Sequence, residues 1–103
     1  MSIIEIKEHE ILRPSNSPLE REAIFFYTSL CGTCKLGERM LDIIDSMNNH
    51  IPIRKINISY APNLRDSWRI CSVPCLVVLN NGKPEQFEYA MRSVDYLYDI
   101  LKV

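Results

Sequence analysis

Residues 25–35 constrain the fold more than any other part of this chain, because they join an apolar run to a pair of closely spaced cysteines. Residues 25–27 are aromatic and the run is short, which is typical of a strand buried on both faces of a sheet. A small polar turn follows, and Cys31 and Cys34 then open a long amphipathic pattern. The sequence therefore predicts strand, turn and helix, with both cysteines in the first helical turn.

The position of Cys31 at a helix start has a chemical consequence. A helix N-terminus presents free backbone N–H groups and a partial positive charge, and both favour a thiolate over a thiol. Two intervening residues leave Cys31 and Cys34 close enough to form a small disulfide ring, and we expect Gly32 to permit the tight backbone there. Cys31 is therefore expected to be the reactive thiol of a pair that switches between dithiol and disulfide.

Length and charge narrow the class of protein. The 103 residues fit one domain, and we expect residues 1–103 to form it. The 12 basic and 13 acidic residues are scattered, with no basic patch of the kind that binds nucleic acid or an anionic membrane. The N-terminus shows no basic leader, and no apolar run is long enough to span a bilayer. We expect a cytoplasmic monomer with neither nucleic-acid nor membrane partners.

Apolar periodicity and turn residues predict the order of the elements. Strands are expected over residues 3–6, 23–28, 51–58, 75–79 and 85–91. A connection is expected over residues 13–18, a helical turn over 18–22, and helices from 34 to 47, from 61 to 68 and after Ser93. The residues of the long helix expected to face the core are Leu36, Met40, Ile43, Ile44 and Met47; those expected to face away are Lys35, Glu38, Arg39, Asp42 and Asp45.

Several linked features of residues 23–102 resemble the thioredoxin family. The Cys-Gly-Thr-Cys-Lys stretch opens a helix as the family's redox motif does, and Lys55 lies in a segment similar to the family's strand with a semi-buried lysine. Val73-Pro74 stands where the family has its cis-proline, and Asn81-Gly82 matches the hairpin turn beyond it. The resemblance implies a thioredoxin-like α/β fold, with a mixed sheet of four to five strands flanked by helices.

Departures from the family pattern alter the expected chemistry. Phe25 occupies the position of the family's buried aspartate, which is thought to help deprotonate the second cysteine, so resolution is expected to be slow and to gain speed in Phe25→Asp. Leu30 replaces the family's tryptophan, and Thr33 replaces its proline, which changes the surface that grips partners. Cys75 replaces the usual threonine after the cis-proline, which adds a third thiol near the pair.

The resemblance implies a thiol–disulfide oxidoreductase in which Cys31, Cys34 and Lys55 are catalytic. The Cys31 thiolate would attack a substrate disulfide, and Cys34 would resolve the mixed disulfide. The expected partners are disulfide-containing proteins or mixed disulfides with a low-molecular-weight thiol, and a reductase or thiol that donates electrons. No cofactor or metal is expected. The residues expected to bind the substrate lie beside the cysteines or at the cis-proline: Gly32, Thr33, Val73 and Pro74.

Other interpretations of these residues stay open from the sequence alone. The cysteine pair, together with Cys75 and also Cys71, matches the ligands of a metal or iron–sulfur site. Alternatively, the pair is an inert structural feature. Pro74 is alternatively an ordinary trans-proline at the start of a strand, and Lys55 is alternatively a solvated charge. We expect Cys75 to face the core as a small replacement for threonine, and Cys71 to be inert on a loop.

Overall fold

The structure is a computed structural model that describes residues 3–12 and 20–103. Within these residues the elements follow one another in this order: β1 (Ile4–Glu5), α1 (His9–Leu12), β2 (Arg21–Tyr27), α2 (Gly32–Asp45), β3 (Ile53–Asn57), a 3₁₀ turn (Ile58–Tyr60), α3 (Pro62–Ser67), β4 (Cys75–Asn80), β5 (Lys83–Glu88) and α4 (Val94–Leu101). The connection predicted over residues 13–18 lies outside the described residues. The predicted order of strands and helices from residue 23 onward is confirmed.

The five strands form one mixed sheet with β2 at its centre. Their order is β1-β3-β2-β4-β5, in which β1, β3 and β2 are parallel and β4 and β5 are antiparallel to their neighbours. The predicted fold class, a mixed sheet of four to five strands flanked by helices, is confirmed. Because β2 has a neighbouring strand on each side, the turn after its C-terminal end lies at the middle of the sheet and not at one side of it.

Each face of the sheet packs against its own apolar layer. On one face Phe25 lies in a cluster with residues of α2 and α4, and on the other Phe26 lies in a cluster with Leu64 of α3. The Trp68 ring meets the Phe26 ring edge-on, with 6.0 Å between their centroids. Consecutive residues of a strand point to opposite faces, so a strand covered on both faces is apolar throughout.

Helix α2 buries a face that matches the predicted one only in part, since Ile44 is buried and Met40 packs against the core as expected. Of the five residues expected to face the core, Leu36, Ile43 and Met47 are 52%, 51% and 46% exposed. The buried residues of the helix are Cys34, Gly37, Leu41 and Ile44. At Gly37 an added Cβ would come within 3.1 Å of the Met91 side chain and 3.3 Å of the Phe25 ring. Glycine at position 37 therefore lets the buried face of α2 approach the sheet closely. The hydropathy pattern of the sequence does not reveal this close approach.

The helical turn predicted over residues 18–22 is wrong for Arg21 and Glu22, which begin β2. They pair with Asn80 and Leu79 of β4, so the backbone hydrogen bonds of the sheet take precedence over the local helical preference. Glu22 is only 5% exposed, and Arg54 of β3 donates a hydrogen bond to its carboxylate. This ion pair lets a charged residue lie inside the sheet.

Local turn and cap signals correspond closely to the structure. Asn81 and Gly82 have φ values of 53° and 82°, as the two central residues of a tight hairpin turn require. The Ser93 hydroxyl accepts a hydrogen bond of 3.1 Å from the Tyr96 N–H and caps α4, as predicted. The β5 strand ends at Glu88 rather than at residue 91. In the described part of the chain, no helix is long and apolar enough to cross a membrane.

Candidate redox site

The two cysteines of the Cys-x-x-Cys motif lie at the N-terminus of α2, directly after the central strand. Cys31 is the residue that caps the helix, and its sulfur accepts a hydrogen bond of 3.1 Å from the Cys34 N–H. The Thr33 hydroxyl lies 3.5 Å from the same sulfur. Backbone and side-chain polar groups therefore surround the Cys31 sulfur at the positive end of a 14-residue helix. This environment favours a thiolate at Cys31 when the pair is reduced.

Cys31 and Cys34 form a disulfide, with 5.2 Å between their Cα atoms. The two residues differ in exposure, since Cys34 is 2% exposed and Cys31 is half-buried. Leu30, directly before Cys31, is 98% exposed. An incoming sulfur atom therefore reaches Cys31 more easily than Cys34.

Gly32 does not have the backbone role that the sequence suggested. It is the first residue of α2, it has no positive φ, and nothing lies within 4 Å of the position that a Cβ would occupy. The conformational freedom that Gly32 was expected to provide for a tight backbone is therefore not used. Apart from its two chain neighbours, Gly32 has open space beside it.

Val73 and Pro74 lie at the same edge of the sheet as the cysteines. Cys75 at the start of β4 is the register partner of Phe26 near the end of β2, so the residue before Cys75 and the turn after β2 meet at this edge. Pro74 is buried and Val73 half-buried against the Phe26 cluster. The peptide bond between Val73 and Pro74 is cis.

Lys55 is held on the α2 side of the sheet. Its Nζ lies 2.5 Å from the Glu38 Oε2 and 5.6 Å from the centre of the Tyr27 ring. The side chains of Lys55 and Glu38 are 18% and 26% exposed. Lys55 is therefore a partly buried, paired cation and not the solvated charge that its position in a strand also suggested.

Phe25 leaves no carboxylate at the centre of this region. It is fully buried, is the register neighbour of Lys55, and its ring stacks on that of Tyr27 with 6.5 Å between the centroids. The carboxylate that does approach Lys55 is Glu38, which the sequence pattern assigned to the outward face of α2. Its spacing of four residues from Cys34 was the available signal, because such residues share a helix face.

The Tyr27 hydroxyl stays neutral in this arrangement. Burial raises the pKa of Tyr27 above its usual range, and its hydrogen bond with Glu5, with the nearby charges of Glu5 and Glu38, raises the pKa further. A neutral ring can lie beneath the Lys55 ammonium without competing with the Glu38 carboxylate for that cation.

Cys75 faces the core, as predicted, on the opposite side of the sheet from α2. It is fully buried in the Phe26 cluster, and burial raises its pKa to about 12, more than the Tyr89 hydroxyl lowers it. Cys71 is a free, exposed thiol on the preceding loop. Within residues 3–12 and 20–103, no group of three or more Cys, His, Asp or Glu side chains has the arrangement to hold a metal ion. The geometry does not support the metal or iron–sulfur alternative.

Cys75→Thr should retain full disulfide exchange, because the thiol lies in the core and not beside the redox pair. We expect the free energy of unfolding at neutral pH to change by no more than about 1 kcal/mol, since the new hydroxyl can pair with Tyr89. The comparison is made by single-turnover exchange and denaturant titration, with Cys71→Ser as the matched loss of a thiol. A Cys31–Cys75 or Cys34–Cys75 link in mass mapping after mild oxidation would contradict this prediction.

The raised pKa of Cys75 also predicts the direction in which stability changes with pH. The unfolded chain loses this proton above about pH 9, whereas the folded chain retains it up to about pH 12, so this group's contribution to stability decreases as the pH rises between these values. Cys75→Thr should therefore reduce the loss of stability in that alkaline window. An equally steep loss in both proteins would argue against this assignment.

The fold and the site together define a class of protein. A disulfide at the N-terminus of a helix that packs on the central strand of a mixed sheet, with one sulfur accessible and the other buried, is the arrangement of the thioredoxin-like dithiol proteins. The thioredoxin family model matches residues 14–102, and the chain belongs to the thioredoxin family.

Individual relatives agree with this assignment. The chain is 33% identical to the thioredoxin-like protein YusE of Bacillus subtilis over 100 residues, which are 95% of this chain and 90% of that protein. It is 24% identical to a thioredoxin of Chlamydia trachomatis over 78 residues, 76% of each protein. A solved mutant thioredoxin of Halobacterium salinarum has the same fold, with a TM-score of 0.83 at 19% identity over 97% of this chain and 88% of that one. Family membership and the disulfide support a thiol–disulfide oxidoreductase role.

Proposed function

We propose that the chain acts as one thioredoxin-like domain that reduces disulfides in proteins or mixed disulfides with a low-molecular-weight thiol. The observation that carries this proposal is the unequal exposure of two linked sulfurs at a helix N-terminus, with Cys34 2% exposed and Cys31 half-buried. An exchange enzyme needs one sulfur that meets the substrate and a second that meets only the first.

The proposed reaction proceeds in two displacements. The Cys31 thiolate attacks one sulfur of the substrate disulfide, so that a Cys31–substrate bond forms and the substrate's own S–S bond breaks. The departing sulfur leaves as a thiolate and takes up a proton. The Cys34 sulfur then attacks Cys31, the Cys31–Cys34 disulfide forms, and the second substrate sulfur leaves. A donor thiol or reductase returns two electrons to the pair.

Substrate binding is proposed at Gly32, Thr33, Val73 and Pro74. The open space at Gly32 allows a partner backbone to approach the disulfide. The ladder between β2 and β4 starts at the pair of Phe26 and Cys75, so the Val73 backbone lies beyond it. Its N–H and C=O are proposed to pair with an extended substrate segment, a common way to bind a peptide at a sheet.

The remaining parts of the proposal concern Lys55 and the setting of the protein. Lys55 is proposed to take part in catalysis through Cys34, which is supported by its burial and by its contact with α2. A cytoplasmic, monomeric protein without a cofactor is proposed, because a reducing compartment keeps a cysteine pair available as a dithiol.

Cys34→Ser should trap the intermediate of this reaction. With the resolving sulfur absent, incubation with insulin as a disulfide substrate should leave a stable covalent adduct on Cys31, visible by non-reducing electrophoresis and assigned by mass mapping. The wild type should release insulin in its reduced form instead. The variant Cys31→Ser/Cys34→Ser is the matched control and should form no adduct. An adduct of similar yield in the double variant, or one mapped to Cys71, would contradict the proposal.

A further inference from the structure

The second displacement needs an acceptor for a proton. A neutral thiol is a poor nucleophile, so the buried Cys34 must lose its proton as it attacks Cys31. Phe25 stands where the family has its buried aspartate; it is fully buried, and its side chain supplies no acceptor. A carboxylate that accepts this proton must therefore come from another element.

Glu38 lies on the same side of α2 as Cys34. The two residues are four apart in one helix, which places their Cα atoms about 6 Å apart along the axis. Side chains of a helix lean toward its N-terminus, so Glu38 leans back over the turn that holds Cys34. A Cβ added at Gly37, between them, would lie 3.3 Å from the Phe25 ring, so this side of α2 lies close to the sheet.

Lys55 holds the Glu38 carboxylate in that direction. Its Nζ lies 2.5 Å from the Glu38 Oε2, and Lys55 itself is the register neighbour of Phe25. The ammonium thus anchors the carboxylate on the sheet side of α2, level with the Phe25 ring. A partly buried ion pair of this kind fixes the direction of a side chain that would otherwise sample many rotamers.

We propose that Glu38, held by Lys55, accepts the proton that the Cys34 thiol loses during resolution. The proposal rests on the proposed function and deepens it. In the step, the Cys34 Sγ–Cys31 Sγ bond forms, the bond between Cys31 and the substrate sulfur breaks, the proton moves from Cys34 to Glu38, and the substrate leaves as a thiolate. Glu38 thereby has the role that the buried aspartate, at the position of Phe25, has in the thioredoxin family.

Other charged and titratable groups surround this pair without replacing it. Glu5 of β1 and Tyr27 of β2 form a hydrogen bond with each other, and Tyr60 of the 3₁₀ turn lies near them. On the side of α4, Arg92 lies over the Tyr96 ring at 4.9 Å. Asp42 lies a further turn along α2, twice as far from Cys34 along the axis as Glu38. Glu38 is therefore the carboxylate of α2 closest in sequence to the resolving thiol.

A purely structural ion pair predicts the opposite result on mutation. If Glu38 only neutralised Lys55, Glu38→Gln would free the ammonium, and the free ammonium would favour a Cys34 thiolate and speed resolution. If Glu38 accepts the proton, Glu38→Gln removes the base, and resolution slows. The sign of the rate change separates the two roles.

The test is single-turnover reaction of the reduced protein with dithiobis(nitrobenzoate), followed by stopped-flow absorbance in a Cys71→Ser background. Cys31 should release the first nitrothiobenzoate and Cys34 the second, so the two steps are seen separately. Glu38→Gln should leave the first phase unchanged and slow the second by about tenfold or more near neutral pH, within the usual range of general-base effects.

Asp45→Asn provides the matched control. Asp45 is another acidic residue of α2 with a basic neighbour, since its Oδ1 lies 3.5 Å from the His50 Nε2, and it lies 11 residues beyond Cys34. It should leave both phases unchanged. Absence of a fast first phase in every protein would defeat the proposed function itself. An intact first phase with a second phase that is unchanged or faster in Glu38→Gln would overturn only the role of Glu38.

Discussion

Cys31→Ser is expected to reduce disulfide reduction to the background rate, whereas Cys71→Ser retains it. The reason is that Cys31 is the accessible member of the pair, and its sulfur accepts the Cys34 N–H at the N-terminus of α2. Without that sulfur no mixed disulfide forms, and the buried Cys34 offers no alternative point of entry. The measurement is insulin reduction in the presence of a dithiol donor, with each variant checked for folding by circular dichroism.

The same environment predicts an order of reactivity among three of the four thiols of the reduced protein, namely Cys31, Cys71 and Cys75. Cys31 should be alkylated first, and at a lower pH than an ordinary cysteine with a pKa of about 8.5 requires. Cys71 should follow as an exposed thiol of ordinary reactivity, and the buried Cys75 should react only after unfolding. Time-resolved alkylation with mass mapping gives these rates. Equal rates for all four thiols would show that the helix N-terminus does not activate Cys31.

The parts of this fold that the sequence predicted are those encoded locally. The Cys-Gly-Thr-Cys motif after an aromatic strand, the Asn81-Gly82 turn and the Ser93 cap each depend on a few neighbouring residues, and each has the predicted structure. The central position of β2 was also predictable, because residues 23–27 are apolar or aromatic at every position, and such a segment must be covered on both faces.

The features that escaped prediction depend on contacts between distant residues. The rotation of α2 follows from the close approach of Gly37 to Met91 and Phe25, and a glycine carries no hydropathy signal. The same rotation turns Glu38 toward Lys55, 17 residues away in sequence. A periodicity argument therefore placed Glu38 among the solvent-facing charges of α2. Tertiary packing decided both outcomes.

Phe25→Asp should be the most destabilising of the substitutions considered. Replacing a fully buried phenylalanine with a small residue costs about 3–5 kcal/mol, which is much of the 5–15 kcal/mol that stabilises a typical domain. Burying a carboxylate adds to this loss, because Lys55 is already paired with Glu38. Phe25→Leu, which retains an apolar side chain, should lose much less. Denaturant titration of the three proteins gives the comparison.

Phe25→Asn separates the charge from the cavity, since it has nearly the same shape as the aspartate variant. Burial should raise the pKa of the new carboxyl group above the value of about 3.9 in the unfolded chain. The folded state then binds more protons, so Phe25→Asp should lose stability relative to Phe25→Asn as the pH rises above that value. The opposite trend would mean that Lys55 leaves Glu38 and pairs with the new carboxylate.

The rate of resolution in Phe25→Asp also tests the role of Glu38. From the sequence alone a carboxylate at this position should accelerate resolution, but a site in which Glu38 already accepts the proton has little to gain. We therefore expect no acceleration in the wild-type background and a recovery of several-fold in the Glu38→Gln background, measured as the second phase of the dithiobis(nitrobenzoate) reaction. A comparable gain in both backgrounds would show that the two carboxylates act independently, and that resolution in the natural protein proceeds without Glu38 as its base.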